Sequence, residues 1–299
     1  MKISKVLLVR KKSTYEIQAL EHQESKFLAL IQNNHESIKK VVQAHEEHKA
    51  SLNLITQILD DKGISYVIKD RSKITHKITD VDLVITVGGD GTLLDASHFI
   101  QGKIPILGVN SSTSSSFGHF CLAQGHNFKH YLESIENDNI HPIAILRLEL
   151  LINNISQNDL ILNEVLLTHP NPAATSRYLI SINADFEEQR SSGIIIATPA
   201  GSTGTLKAAL GQVMPIYTDN FQYLVREPGL RPNEVFKYQK GILNKLSCVK
   251  IVSKMRQAKA FIDGPHLSFD FNLGDEVMVR PSSKFLFAFI DKNVNEQFK

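Results

Sequence analysis

The fold of this chain is decided by the stretch Asp82-Leu-Val-Ile-Thr-Val-Gly-Gly-Asp-Gly-Thr92. After Asp82 the run is apolar or β-branched and ends at glycine, a pattern that is typical of a buried strand. The residues behind it, from Thr92 to Ile100, carry apolar side chains at helical spacing. The segment Gly88-Gly89-Asp90-Gly91-Thr92 is therefore predicted to form a corner where a strand passes into a helix.

This glycine corner, residues 88–92, has the properties of a phosphate-binding loop. Glycines let a ligand approach the backbone closely, and free N–H groups at the positive end of a helix favour negative charge. The pattern matches neither Gly-x4-Gly-Lys-Ser/Thr nor Gly-x-Gly-x-x-Gly, and the motif contains no lysine. On this interpretation Asp90 is a carboxylate presented beside bound phosphate. The alternative is structural: Asp90 and Thr92 cap the helix, and the glycines only form the turn.

The composition favours a two-domain protein that binds small molecules. The chain of 299 residues exceeds the usual size of a single domain. Its 33 basic and 31 acidic residues leave a formal net charge of +2, which provides neither an electrostatic footprint for nucleic acid nor a polybasic patch for a membrane. We therefore expect no nucleic-acid partner and no membrane association.

Cysteine usage and the first residues favour a cytoplasmic protein. Cys121 and Cys248 are far apart in the sequence, and neither they nor the histidines show a spacing typical of a metal site. The apolar stretch before Arg10 is too short for the core of a signal peptide or for a membrane span. We interpret that stretch as the first buried strand of a protein in a reducing compartment.

Residues 1–141 are predicted to form an α/β domain with a parallel sheet. The segment 13–61 has no proline and carries apolar residues at helical intervals, which predicts one long helix or two helices joined near Asn33 and Asn34. Strand-like segments at 65–69, 82–87 and 104–109 alternate with helical ones, as in parallel sheets with right-handed crossovers. The serine-rich segment 111–116 is predicted to be a flexible loop.

Residues 142–276 are predicted to form a β-rich second domain. Several segments after Pro142 are strand-like, with few good helical windows between them. They are 143–152, 160–167, 178–183, 248–253, 259–262 and 276–280.

Two further stretches are candidates for the same functional site. Asn163 and Glu164 lie within an apolar run, where burying an amide or a carboxylate without a partner is costly. Such a pair can recognise adenine through its amide and ribose through its carboxylate, or it can be a buried structural hydrogen-bond pair. The segment 193–204 is a buried strand that ends in small hydroxylated residues and glycine, followed by the helical segment 205–210. This second stretch could hold the other end of a dinucleotide or be an ordinary tight turn.

With these patches in view, the sequence resembles the ATP-NAD kinases over nearly the whole chain after residue 80. The glycine corner alone is weakly specific, because lipid kinases of the diacylglycerol type have a similar motif. The order and spacing of the whole set are more specific. The departures from the common bacterial pattern, together with segments 170–178 and 225–228, look more like the plant NADH kinases and their mitochondrial animal relatives. The motifs that carry the resemblance are Gly-Gly-Asp-Gly-Thr at 88–92, Asn163-Glu164, Gln189-Arg190-Ser191, Thr198-Pro199, Gly201-Ser202-Thr203 and Asp263-Gly264.

The resemblance implies an α/β domain at 1–141, a β-sandwich-like domain at 142–276 and a final segment, 277–299, that returns to the first domain. It implies a homodimer or homotetramer that transfers the γ-phosphoryl group of ATP, with Mg²⁺, to the adenosine 2′-hydroxyl of NAD or NADH. Asp90 would be the catalytic carboxylate, and the phosphates would be bound by Gly88, Gly89, Gly91 and Thr92. The dinucleotide would be bound by Asp90, Gly91, Asn163, Glu164, Arg190, Ser192, Ser202, Thr203, Gly204, Thr205, Lys207, Ala208 and Asp263.

The chain departs from the common bacterial pattern of this family at several positions. Ser192 stands where an aspartate is usual, Gly204-Thr205 where Ala-Tyr is usual, and Pro265 where a glutamine is usual. The resemblance puts position 192 near the nicotinamide, where a carboxylate about 4 Å from the cationic ring is worth at most a few kcal/mol. Because serine lacks that charge, we expect NADH to be accepted at least as well as NAD.

Two other classes of function remain open at this stage. A lipid kinase of the diacylglycerol type would share the glycine corner, but it should lack the Asn163-Glu164 pair and would benefit from an apolar or basic membrane-binding face. A non-catalytic nucleotide sensor could keep the pockets, although the intact Asp90 argues against it. The sequence does not decide between ATP and inorganic polyphosphate as the phosphoryl donor.

Overall fold

The computed structural model describes residues 1–182 and 185–298, and their contacts group them into two compact units. The first unit consists of Met1–Ile143 and Leu286–Val294. The second unit consists of Ala144–Phe285 and the C-terminal residues from Asn295 onward. Of the expected returning segment 277–299, the contacts therefore group only Leu286–Val294 with the first unit.

Strands alternate with helices in the first unit, whereas the second unit consists almost entirely of strands. The first unit contains β1 (Lys5–Arg10), α1 (Ser25–Gln32), α2 (Glu36–Asp61), β2 (Ser65–Asp70), β3 (Leu83–Gly88), α3 (Asp90–Ser97), β4 (Ile106–Asn110), β5 (Cys121–Gln124) and α4 (Phe128–Glu136), and ends within β6 (Ile143–Ile145). The second unit contains β7 (Leu148–Ile152), β8 (Ile155–Ile161), β9 (Glu164–Thr168), β10 (Ser176–Ile182), β11 (Asp185–Ser191), β12 (Ile194–Ala197), α5 (Thr205–Ala208), β13 (Phe221–Val225), β14 (Lys240–Leu243), β15 (Val249–Ser253), β16 (Ala258–Ile262), β17 (Leu267–Phe271) and β18 (Glu276–Pro281). The chain then re-enters the first unit with β19 (Leu286–Phe289).

The first unit is built on a sheet with the strand order β2-β1-β3-β4-β19-β6, with β5 beside β4. The pairs β1–β2, β1–β3, β3–β4, β4–β5 and β4–β19 are all parallel. Every residue of β3 is buried, as expected for a central parallel strand covered on both faces. Because parallel strands point the same way, the carboxyl ends of β1, β3 and β4 meet at one edge of the sheet. The predicted α/β domain is confirmed.

The helices of the first unit pack on the sheet through a shared apolar core. Its members come from β1, α2, β3, α4 and β19, among other elements, and they include Leu8, Ile55, Leu59, Leu83, Ile85, Phe128 and Phe289. The predicted helical segment 13–61 contains a π-helical turn, Glu16–Glu21, and then α1 and α2. The break between α1 and α2 falls at the predicted Asn33 and Asn34, and Asn34 has a φ of +47°, which asparagine tolerates better than most residues.

The second unit consists of two six-stranded sheets with antiparallel pairing, which confirms the predicted β-sandwich-like domain. Their strand orders are β11-β10-β15-β18-β7-β8 and β14-β13-β12-β9-β16-β17. One core cluster draws side chains from both sheets, such as Leu150 of β7, Leu167 of β9, Tyr178 of β10 and Ile196 of β12. The two sheets therefore share one core.

Several predicted strands differ from those observed. The segment 143–152 divides into β6 and β7, and 160–167 divides into β8 and β9. The segment 178–183 corresponds to β10, but its last residue, Asn183, lies outside the described residues. The strands β5, β11, β13, β14, β17 and β19 were not predicted. The sequence of β11, Asp-Phe-Glu-Glu-Gln-Arg-Ser, is largely polar, as suits a strand at the edge of its sheet.

Candidate active site

The glycine corner passes from β3 to α3 as predicted, and Gly89 is the residue before the first helical turn. Two of its glycines are required by close packing within the corner. A Cβ on Gly88 would lie 2.2 Å from Thr92 Oγ1, and a Cβ on Gly89 would lie 2.1 Å from Ser116 Oγ. Thr92 is buried, so its side chain fills the corner. The glycines therefore create room for Thr92 and Ser116 and keep the backbone of the corner tight.

Asp90 does not cap α3, whose N-terminus has no side-chain cap hydrogen bond. Instead, Asp90 Oδ1 accepts a 2.7 Å hydrogen bond from the backbone N–H of Phe120. Within residues 1–182 and 185–298, no hydrogen bond reaches Asp90 Oδ2. One carboxylate oxygen is thus fixed in place while the other is available to an incoming donor, which argues against a purely structural role.

The serine-rich loop, residues 111–116, is tied to the glycine corner, a contact that the prediction of a flexible loop did not include. The backbone N–H of Ser111 donates to Gly88 O at 3.1 Å. The Oγ atom of Ser111 lies 2.8 Å from His48 Nδ1, and both Ser111 and Ser112 are buried. The side chain of Asn110 supports the same loop, because its Nδ2 donates to Ser116 O at 3.0 Å. Composition alone suggested solvation because serine is usually exposed.

In the second unit, Asp263 holds the backbone of the Asn163-Glu164 pair. Its Oδ1 accepts hydrogen bonds from the N–H groups of Asn163 and Glu164 at 2.7 and 3.1 Å, and its Oδ2 accepts one from Leu162 at 2.9 Å. Asp263 itself has a φ of +51°. The carboxylate is therefore used to fix residues 162–164, so these residues form a preorganised platform.

Arg147 supports Asp263 from inside the domain, and the sequence analysis did not identify it. Its side chain is fully buried, and it donates from Nε to Lys284 O at 2.9 Å and from Nη2 to Phe285 O at 3.2 Å. Burial lowers the pKa of Arg147 to about 10, and the negative charge of Asp263 acts in the opposite direction. The sequence does offer a signal for Arg147, because a charged residue stands within the largely apolar run Ile143–Ile152.

The side chains of Asn163 and Glu164, both half-buried, have properties that suit a nucleoside. Burial and the negative charge of Asp263 raise the pKa of Glu164 to about 7. The Oδ1 atom of Asn163 is buried and accepts no hydrogen bond within the described part of the chain. A buried polar atom without a partner is costly, so a ligand that donates a hydrogen bond to Asn163 would remove that cost. This geometry favours recognition over a structural Asn–Glu pair.

The turn after β12 packs directly against the platform. Thr198 donates from its backbone N–H to Asn163 O at 2.9 Å, and its hydroxyl donates to Leu162 O. A Cβ on Gly201 would lie 2.3 Å from Asn163 O, so only glycine allows this approach. Ser202 is fully buried, and its Oγ donates to Pro199 O at 2.7 Å and accepts from Met214 N at 3.0 Å. Of the predicted ligands, Ser202 therefore has its hydroxyl engaged within the protein.

The remaining predicted ligands of this turn continue along the chain into α5. Thr203 is half-buried, and Gly204, Thr205, Lys207 and Ala208 are exposed, whereas Leu206 between them is buried. Lys207 Nζ donates to Phe298 O at 2.7 Å and lies 5.1 Å from the centre of the Phe298 ring. The exposed residues thus follow directly from the platform, where they are free to contact a ligand bound on it.

Arg190 and Ser192 lie away from the platform within this chain. In the β9–β12 pair, Glu164 is opposite Ala197, and Leu167 is opposite Ile194. Ser192 therefore lies at the far end of the pair, where its carbonyl accepts a 3.2 Å hydrogen bond from Thr168 Oγ1. Four residue steps of a strand separate the two ends by about 13 Å. Arg190 forms an ion pair with Glu234, and its guanidinium lies 5.9 Å from the centre of the Phe236 ring.

Two properties of the described residues bear on metals and membranes. Among them, no cluster of three or more histidine, cysteine, aspartate or glutamate side chains is arranged to hold a metal ion. No helix in the described ranges is long and apolar enough to cross a bilayer.

Comparison with known proteins gives consistent matches along the chain. Residues 6–140 match the family model of the ATP-NAD kinase N-terminal domain. A probable NADH kinase of Oryza sativa subsp. japonica is 33% identical over 272 residues, which cover 84% of this chain and 83% of that protein.

Two solved structures share the fold. The crystal structure of yeast NADH kinase complexed with NADH matches 99% of this chain and 86% of its own, with a TM-score of 0.70 and 18% identity. The crystal structure of an NAD kinase from Archaeoglobus fulgidus in complex with ATP matches 98% of this chain and 96% of its own, with a TM-score of 0.69 and 18% identity.

Proposed function

The chain belongs to the ATP-NAD kinase family, on the branch of the plant NADH kinases, and we propose that it transfers the γ-phosphoryl group of ATP to the adenosine 2′-hydroxyl of NAD, NADH or both. The single observation that carries this proposal is the platform of the second unit. There, an amide oxygen without a partner, on Asn163, stands next to the carboxyl group of Glu164, and Asp263 fixes the backbone of both.

The platform presents groups complementary to adenosine. Asn163 Oδ1 can accept a hydrogen bond from the amino group of adenine, which would satisfy its buried oxygen. The carboxylate form of Glu164 can accept hydrogen bonds from ribose hydroxyls. A diacylglycerol headgroup carries no base that could donate to Asn163, so the platform does not favour the lipid-kinase alternative.

Asp90 is the proposed catalytic residue. With Oδ1 held by the N–H of Phe120, its Oδ2 remains available to accept a hydrogen bond from the 2′-hydroxyl, to orient it and to take its proton during transfer. A carboxylate is a weak base, and phosphoryl transfer has a loose transition state. We therefore assign Asp90 mainly to positioning, with proton removal as a smaller contribution. Gly88, Gly89, Gly91 and Thr92 provide the tight corner beside which the phosphates bind.

We propose Mg²⁺ as the cofactor, bound with ATP. Magnesium is usually held by substrate phosphates together with one or two carboxylates. The glycine corner fits this, because Asp90 supplies one carboxylate there. When bound, the ion would neutralise charge on the transferring phosphates.

We also propose that the protein is a homo-oligomer, a dimer or a tetramer, in a reducing, cytoplasmic compartment. Support for the oligomer comes from Arg190 and Ser192, which lie about one strand length from Asn163 within a chain, so that a second copy could bring these predicted ligands together. Support for the compartment comes from Cys121 and Cys248, which are both free.

The test is a direct assay of the purified full chain. The protein is given ATP and Mg²⁺ with NAD, NADH or diacylglycerol vesicles, and mass spectrometry identifies the product. We expect the coenzyme to gain one phosphate at the adenosine ribose. A phosphorylated lipid would identify a lipid kinase, and the absence of any product, with coenzyme binding intact, would identify a nucleotide sensor. Light scattering on the same sample tests the oligomer.

A further inference from the structure

Lys11 lies beside the glycine corner although it is far from it in sequence. It directly follows β1, and its backbone N–H donates to Val87 O at 3.3 Å, one residue before Gly88. This places Lys11 at the carboxyl edge of the parallel sheet, where ligands of open α/β sheets usually bind. The glycine motif itself contains no lysine.

The charge of Lys11 is not neutralised by the protein. Within residues 1–182 and 185–298, no carboxylate lies at ion-pair distance from its Nζ. Burial and the positive charge of Arg71 both lower the pKa of Lys11, against smaller opposing effects of Cys121 and Glu47. The next residue differs in this respect, because Lys12 forms ion pairs with Glu21 and Asp70. A half-buried cation without a counter-ion is unfavourable unless a ligand supplies one.

Lys11 lines a cavity of about 510 Å³, which we name the basic cleft. Four of its lining side chains are basic and four carry hydroxyl groups, and a short apolar wall from α2 completes it. The basic and hydroxylated residues are Lys11, Lys12, Lys40, Arg71, Ser13, Thr14, Ser114 and Ser115.

The basic cleft adjoins the corner on the side of the proposed catalytic residue. A Cβ on Gly91 would lie 3.4 Å from Arg71 Nη1, and Arg71 is held at 3.1 Å by Asp95 of α3. The N–H of Phe120 holds Asp90, and the next residue, Cys121, has its Sγ 4.0 Å from the carbonyl oxygen of Gly88, the residue that follows the hydrogen-bond partner of Lys11. The cleft and Asp90 are therefore parts of one surface of the first unit.

We propose that the basic cleft binds the phosphate chain of the phosphoryl donor and that Lys11 supplies, from the end of β1, the cation that the glycine motif lacks. The ligand chemistry is a linear chain of phosphates, which is shared by the triphosphate of ATP and by inorganic polyphosphate. Lysine acts on phosphate as a point charge, and the hydroxyl groups add hydrogen-bond donors. The inference rests on the proposed kinase function, but binding measurements test it without turnover.

The first experiment is calorimetric titration of the full-length Lys11→Met variant with ATP, with inorganic tripolyphosphate and with NADH. We expect ATP and tripolyphosphate to bind at least about tenfold more weakly, because a partly desolvated charge contact is lost. NADH affinity should not change. The matched control is Lys69→Met, which removes the same charge from an exposed position on β2 and should bind all three ligands as the wild type does. Wild-type affinity of Lys11→Met for both phosphate compounds would overturn the proposal.

Two further measurements distinguish a loss of phosphate binding from a folding defect in Lys11→Met. Lys11→Arg keeps the charge, and we expect it to retain most of the affinity for tripolyphosphate. In the wild type, acetic anhydride should modify Lys11, and mass spectrometry should show that ATP and tripolyphosphate prevent this while NADH does not. Modification that is equal with and without tripolyphosphate would overturn the proposal.

Lys11 protection and coenzyme phosphorylation, measured together, distinguish a failure of this inference from a failure of the proposed function. If Lys11 is protected but no coenzyme is phosphorylated, the cleft is a phosphate site and the kinase assignment fails. If coenzyme is phosphorylated and Lys11 is not protected, only the cleft assignment fails. Turnover assays with ATP and with polyphosphate as alternative donors identify the source of the phosphate chain, since the KM of the true donor should rise about tenfold in Lys11→Met.

Discussion

Asp263 Oδ1 accepts a 2.7 Å hydrogen bond from the backbone N–H of Asn163, a residue 100 positions earlier in the chain. Two motifs that are separate in sequence are therefore one structural unit, in which the second motif holds the first. Arg147, fully buried, acts on the same carboxylate electrostatically. The proposed nucleoside-binding surface thus depends on a buried charge pair as well as on Asn163 and Glu164 themselves.

Neutralising Asp263 should strongly destabilise the second unit. Asp263→Asn tolerates the positive φ of this position, but it leaves the charge of Arg147 buried without a counter-charge. We expect the free energy of unfolding in urea to fall by about 3–5 kcal/mol. The control, Asp270→Asn, removes an exposed carboxylate that pairs with Lys259 and should cost less than about 1 kcal/mol. Equal losses in the two variants would contradict the assignment.

Glu164 should make the protein less stable as the pH rises from mildly acidic to neutral. Because its pKa is raised from 4.5 to about 7, the folded state keeps the proton where the unfolded chain releases it. This contribution to the free energy of unfolding is fully present below about pH 4.5 and is lost as the pH rises through about 7. Burial also raises the pKa of Asp263, against which its three N–H donors and Arg147 act.

The measurement is urea unfolding at several pH values between 4.5 and 7. We expect Glu164→Gln to show a flatter decline than the wild type, because glutamine cannot titrate. An identical pH dependence in the two proteins would show that Glu164 does not carry the raised pKa.

Gly201→Ala should weaken coenzyme binding although it changes neither of the proposed ligands on the platform, Asn163 and Glu164. Its Cβ would lie 2.3 Å from Asn163 O, so the backbone of the platform or of the turn must move. We expect NADH to bind about tenfold more weakly in fluorescence titration, because displaced hydrogen-bonding groups lose their alignment. Gly102→Ala is the control, since no atom lies within 4 Å of a Cβ there. Unchanged NADH affinity in Gly201→Ala would show that the contact is not needed.

The parallel sheet and the glycine corner could be predicted because their signals are local. The β-branched run of β3 is bounded by glycine, and the helical spacing begins immediately after Thr92. The strand-like segments of the second domain are also local patterns, so its β-rich class could be predicted. The polar edge strand β11 was missed because it packs few apolar side chains, which are the basis of that signal.

The supporting parts of the site could not be predicted because they depend on distant partners. Arg147 Nε donates to a carbonyl 137 residues away, and no periodicity encodes such a contact. The serine-rich loop carries a composition typical of solvated segments, yet Ser111 is bonded to His48 across 63 residues. Lys11 comes next to Gly88 only through the pairing of β1 with β3. In each case the sheet topology must be known before the neighbours are.

Asp90→Asn should abolish most turnover and leave coenzyme binding intact. Asparagine keeps an oxygen that can accept the N–H of Phe120, so the corner should remain folded. Its amide nitrogen replaces the oxygen that would accept the 2′-hydroxyl, so the variant loses the positioning hydrogen bond as well as the proton acceptor, and we expect kcat to fall about 10²- to 10⁴-fold. Steady-state kinetics and NADH titration measure the two effects separately. Asp80→Asn, at an exposed position with a φ of +57°, is the control and should have wild-type kcat. Wild-type turnover in Asp90→Asn would remove Asp90 from the mechanism.

Ser192→Asp should shift the coenzyme preference from NADH toward NAD. Ser192 is fixed by its backbone, because its N–H donates to Arg226 O at 3.0 Å and its carbonyl accepts from Thr168, so the new carboxylate would extend from a defined position. Only the oxidised nicotinamide ring carries a positive charge. We expect the ratio of kcat/KM for NAD to that for NADH to rise about tenfold, within the few kcal/mol available to such a pair.

The salt dependence of that ratio identifies its cause. An electrostatic preference should weaken between low and physiological ionic strength, because salt screens partly exposed charges. Ser283→Asp adds the same charge at another exposed position of the second unit and should leave the ratio unchanged. If Ser192→Asp altered kcat/KM equally for both coenzymes, the residue would act on binding in general, and the discrimination between oxidised and reduced rings would have to come from elsewhere in the site.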